Sequence, residues 1–157
     1  MNIETLAYSQ EGILQKESKD FYHYLVRLHM KNKLNNMLVL PARTHFFYDE
    51  DDIKQVDGVI NLSKLNYVKK LDDFLHRLYR MLKKDTVFCG CFVNNKRAKW
   101  DNDSLRKLLK SLVLIFETRM ARLLSEKDVK NILNVNRFEI INMKEIRGVT
   151  YFVAKRT

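Results

Sequence analysis

Apolar side chains recur along this chain at two spacings, and the spacings divide it into helices and strands. Over 18–34, Phe21, Tyr22, Leu25 and Leu28 share one stripe with Tyr24 beside it. That pattern predicts an amphipathic helix capped by Ser18 and stopped at Asn35-Asn36. Met37-Leu38-Val39-Leu40 then reads as a short buried strand closed by Pro41. Residues 44–48 read as another short strand, followed by the acidic loop Asp49-Glu50-Asp51-Asp52. A further apolar strand covers 57–61. The clearest helix spans 72–84: Leu71, Phe74, Leu75, Leu78, Tyr79 and Leu82 form its apolar face. Asp72 or Asp73 caps it, and Lys83 and Lys84 suit its negative C-terminal end.

Residues 87–93 are a continuous apolar run of strand length, as expected of a central strand covered on both faces. Residues 94–102, polar and basic around Trp100, read as a loop. A helical pattern over 104–120 carries Leu105, Leu108, Leu109, Leu112, Val113 and Phe116. Ser125-Glu126-Lys127-Asp128 is a variant capping box opening a helix with Val129, Ile132 and Leu133 inward. Residues 138–146 and 149–154 form a hairpin around Arg147-Gly148. Strands alternating with helices predict an α/β fold of three layers, mostly parallel, with a C-terminal antiparallel hairpin. The runs 37–40, 57–61 and 87–93 are expected in parallel, with the hairpin beside the last.

The 157 residues suit one domain over 1–157. A hydrophobic content of 46% places the chain among folded globules. Only four glycines and one proline occur, too few for the tight turns of an all-β sandwich. The longest uncharged apolar run, 112–116, is far too short to span a bilayer. Met1-Asn2-Ile3-Glu4-Thr5 shows no basic segment followed by an apolar one, so a cytoplasmic protein without a membrane partner is expected. Cys89 and Cys91 read as reduced, buried thiols, and no metal site is expected. The net charge of +10 favours acidic partners, nucleic acid among them, although the basic residues form no long block. Lys96, Arg97 and Lys99 around Trp100 have the interleaving suited to stacking on a base, but a packed tryptophan in a loop is the plainer reading.

Asn61, Ser63 and Asn66 follow the strand 57–61, at the strand end where ligands sit in open α/β sheets. No Ser-His-Asp order or phosphate loop is evident, and His23, His29, His45 and His76 are scattered. No catalytic residue is therefore assigned.

Residues 57–84 join an apolar strand, a short loop and a helix ending in Arg80-Met81-Leu82-Lys83. This run resembles the middle of a class I S-adenosylmethionine-dependent methyltransferase, in which the helix closes on an Arg-x-Leu-Lys pattern. The tail resembles the same family. Leu124-Ser125-Glu126 opens a helix, Phe138-Glu139-Ile140-Ile141 begins a strand, and Tyr151-Phe152-Val153-Ala154-Lys155 is the last strand. Asn136-Arg137 stands where the family has a glycine before the phenylalanine. The resemblance covers 57–157 and implies a Rossmann-like sheet, abbreviated in its N-terminal half, with 1–56 poorly matched. It also implies S-adenosylmethionine as cofactor, with Asn61, Ser63 and Asn66 in the loop that lines it.

In the family the first strand ends in a Gly-x-Gly turn, where backbone approaches the donor, and an acidic residue further on holds the ribose. Here Pro41-Ala42-Arg43 follows the first strand, and Gly12, the only glycine before Gly58, lies ahead of the first helix. Asp49 to Asp52 could include an acid contacting adenine; a solvated acidic loop is the plainer reading. The expectation is a degenerate or truncated methyltransferase relative with weak or no donor binding. An active small methyltransferase completed by a partner subunit or second copy, and a basic nucleic-acid-binding module, are the alternatives.

Overall fold

The computed structural model describes residues 9–40, 55–95 and 122–157. The expected strand at 44–48, the acidic loop 49–52, the Trp100 loop and the helix at 104–120 lie outside the described residues, as do Pro41 and Arg43. Five strands form one sheet in the order β1-β2-β3-β5-β4, with β1 Met37–Leu40, β2 Gly58–Asn61, β3 Val87–Phe92, β4 Phe138–Ile146 and β5 Val149–Arg156. β1, β2 and β3 are parallel, and β5 joins β3 antiparallel. Helices α1 Gln10–Glu17 and α2 Lys19–Arg27 contribute to the core on one face; α3 Leu71–Met81 and α4 Glu126–Val135 contribute on the other. These are the expected three layers.

Alternation along β3 divides its side chains between the two cores. Phe88 and Phe92 pack in the cluster with Leu75, Leu78, Leu133, Phe138 and Phe152. Cys89 and Cys91 point to the other face, with Phe21, Leu25, Met37 and Tyr151. Gly90 sits against a ring: a Cβ there would stand 2.5 Å from Phe152 Cζ. The hairpin turns on Arg147 (φ 50°) and Gly148 (φ 81°), two successive left-handed residues that match the twist of the flanking strands. Among the described residues no helix is long and apolar enough to cross a membrane.

Three local expectations are corrected. The helix expected over 18–34 stops at Arg27, and a 3-10 turn, Lys31–Asn36, leads into β1. The stop is a Schellman motif: His29 takes φ 58°, its N–H bonds Val26 O, and the Met30 N–H bonds Leu25 O. Gly12 lies inside α1, a helix opened by Ser9, whose side chain accepts from the Gly12 N–H. In α3 the first turn starts at Leu71 and the cap position is Lys70, so Asp72 and Asp73 lie inside the turn, where they favour its positive end without capping it. Leu71, Leu75, Leu78 and Leu82 are buried, whereas Phe74 and Tyr79 are only partly so. At α4 the capping box is complete: Ser125 Oγ accepts from the Asp128 N–H, and Asp128 accepts from the Ser125 N–H.

Candidate functional site

Buried polar side chains mark one end of the sheet. Of the five that are buried among the described residues, Asn61, Asn66, Asn94 and Thr150 collect where the parallel strands end; Thr86 lies at the opposite end. Asn61 closes β2 and its Nδ2 donates to Ser63 O at 2.9 Å. The following loop turns back through a 3-10 turn, Leu65–Tyr67. The Leu62 N–H donates to Leu40 O at 2.9 Å, tying that loop to the end of β1. Leu62, Ser63, Lys64 and Tyr67 line an open concavity of about 240 Å3.

Asn66 is 1% exposed, and its side chain is committed to the backbone. Its Nδ2 donates to Val93 O at 3.1 Å and to Arg122 O at 3.3 Å, and its Oδ1 accepts from the Val93 N–H at 2.7 Å. The amide has two N–H donors, and both are engaged. The Arg122 N–H closes the knot on Asn66 O at 3.2 Å, and the Arg122 guanidinium meets Asp72 at 3.7 Å. Asn94 pairs beside Leu124, and its Nδ2 donates to Glu126 at 3.3 Å. Thr150 is fully buried, and its Oγ1 has no hydrogen-bond partner among the described residues.

The structure thus brings Asn61, Ser63 and Asn66 into one loop at the expected strand end. Ser63 faces the concavity, Asn61 spans two residues, and Asn66 acts as a staple between β3 and the segment entering α4. Sequence reasoning missed Asn94 and Thr150. Asn94 carries the signal that selected Asn61, a polar residue closing an apolar run. Thr150 carries none, because a threonine inside a strand is ordinary.

The thiols are chemically quiet. Burial pushes the Cys91 thiol up to about 12, against a smaller opposing effect from the Lys64 charge, and burial also raises Cys89. Burial raises the Tyr24 and Tyr151 phenols, although Tyr24 retains a 2.9 Å bond to Asn142 Oδ1. All four groups lose protons more readily when unfolded. Their contribution to stability is therefore complete below the ordinary thiol value of 9.0 and is lost as pH rises toward the folded value of about 12 for Cys91. Urea melts should show unfolding free energy falling above about pH 9, by up to about 1.4 kcal/mol per pH unit per group. A flat profile would mean that these groups are solvated in the folded chain. Among the described residues no three His, Cys, Asp or Glu side chains could hold a metal ion.

No protein-family model matches the chain, and no curated protein does. Solved structures do. TnmH shares 12% identity over 73% of this chain and 35% of its own, at a TM-score of 0.54. PigF, solved with SAH, shares 16% over 67% of this chain and 31% of its own, at 0.51. An O-methyltransferase family 2 protein from Planctomyces limnophilus, in complex with apigenin, shares 12% over 65% of this chain and 30% of its own, at 0.50. The chain therefore spans about a third of the length of these solved proteins. With its parallel strands, flanking helices and antiparallel C-terminal hairpin, it has the fold of the class I S-adenosylmethionine-dependent methyltransferases.

Proposed function

We propose that this protein is a methyltransferase relative whose donor site has degenerated, so that the isolated chain binds S-adenosylmethionine weakly or not at all. The observation that carries this reading is the commitment of Asn66 to backbone: the loop in the donor-lining position spends its best-placed amide on holding itself together. The four glycines agree with it. Gly12 lies in α1, Gly58 opens β2, Gly90 sits under Phe152, and Gly148 makes the hairpin turn, so none lies directly after β1, where the family's glycine turn would be. A donor this polar needs several matched hydrogen bonds, and an unpaired buried group costs about 1–3 kcal/mol. Loss of two or three such contacts weakens binding by several powers of ten, at 1.4 kcal/mol per tenfold.

Calorimetric titration of the purified chain with S-adenosylmethionine should show no saturable heat below about 1 mM. Micromolar binding, abolished by Asn61→Leu or Ser63→Leu without unfolding, would instead establish an active enzyme. Such binding confined to an oligomeric fraction would point to completion of the site by a second subunit.

A further inference from the structure

The opposite end of the sheet carries a second polar assembly, unrelated to the donor loop. Arg137 and Arg156 converge on Tyr79: the Arg156 guanidinium carbon lies 4.2 Å from the ring centroid and that of Arg137 5.6 Å. Arg137 Nη1 also donates to Tyr79 Oη at 3.3 Å. Two guanidiniums on one ring repel each other, yet neither has a carboxylate partner among the described residues. Arg156 Nε is buried and has no acceptor among the described residues. The hydrogen bond from Arg137, with the charges of both arginines, holds the Tyr79 hydroxyl below the usual phenol range. The turn after α3 is bonded to the same strand end: the Asp85 N–H donates to Arg156 O, and the Arg156 N–H donates to Thr86 O. That turn presents Lys83 and Lys84, both exposed. The nearby acids are Asp85, engaged by Lys155 at 3.3 Å, and Glu139, opposite Lys155 on β4.

Arg137 is also in an unfavourable conformation. Its φ of 62° lies in the left-handed region that glycine adopts freely and arginine does not. An arginine at a glycine-like turn presents its side chain at the expense of strain, and strain of this kind gathers at functional positions. The guanidinium fork matches phosphate oxygens in pairs, so the missing partner is an oxyanion. The occupant that fits a chain of net charge +10, with lysines continuing the patch, is a polymer of phosphates. Tyr79 is covered by Arg156 and is no stacking platform, so contacts go to the backbone and carry no base preference.

We propose that Arg137 and Arg156, held over Tyr79 and extended by Lys83 and Lys84, form a contact site for the phosphate backbone of a nucleic acid. The test is fluorescence anisotropy of a labelled duplex of roughly 20 base pairs, titrated across a salt series. Arg137→Gly separates binding from folding, because it relieves the left-handed strain while removing the side chain. Its melting temperature should stay equal or rise. Its affinity at low salt should fall about tenfold, and its salt slope should shrink by about 0.9 for the lost phosphate contact. Arg156→Lys should weaken binding although the charge is kept, because the fork is lost. Lys16→Gln, on α1 at the opposite face, should change little. The proposal is overturned by any of four results: no binding at low salt, an unchanged Arg137→Gly variant, an equal loss from Lys16→Gln, or displacement of the duplex by micromolar inorganic phosphate alone.

Discussion

Asn66→Ala is expected to lower the unfolding free energy by roughly 3–5 kcal/mol, a large part of the stability of a typical domain. The side chain satisfies three backbone groups at once: the Val93 N–H, Val93 O and Arg122 O. Truncation leaves each of them short of a partner in a place where Asn66 itself is 1% exposed. Orphaned groups cost about 1–3 kcal/mol each, and the three share one loop, so the sum falls below strict additivity. Asn66→Asp should be comparably damaging: it keeps the acceptor for the Val93 N–H but loses both donors and buries a charge. Urea denaturation should show a lower midpoint at unchanged slope. A loss under about 1 kcal/mol would show that the loop re-pairs without the amide. The donor reading of Asn66 would then return, since the side chain would be free to serve a ligand.

Leu78→Ala should cost about 2–5 kcal/mol. Leu78 is 2% exposed and belongs to the core cluster that contains Phe88, Phe138 and Phe152. Those rings are held by the sheet on one side and by α3 and α4 on the other, so the wall can collapse only partly into the vacated space. The lost transfer energy and the residual cavity therefore add. Leu78→Met keeps the volume and should cost under about 1.5 kcal/mol. A two-state unfolding measurement in which Leu78→Ala costs under roughly 1 kcal/mol would show that α3 is loosely docked. Phe74, only partly buried, should be the more tolerant position on the same helix.

Leu78 lies on a stripe visible in the bare chain, whereas the role of Asn66 depends on Val93 and Arg122, which stand 27 and 56 residues away. The same division runs through the rest of the molecule. Apolar periodicity was sufficient for β1, β2, β3, α3, α4 and the hairpin, because burial of one helical stripe or of a continuous strand is a local demand on residue type. The Ser125 capping box was legible for the same reason, since its two partners are three residues apart.

The end of α2 was not legible. Its stop depends on His29 taking φ 58°, a conformation usually announced by glycine, and nothing in the neighbouring residues announces it here. The left-handed Arg137 was hidden likewise, although the resemblance marked its neighbourhood by expecting a glycine. For the candidate site, the sequence determined which residues stand in the loop after β2, since a polar residue closing an apolar run marks a strand end. Only the tertiary structure decided what their side chains bond. Hydrogen-bond partners are set by which distant backbone segments the sheet brings within about 3 Å, and no local pattern encodes that distance.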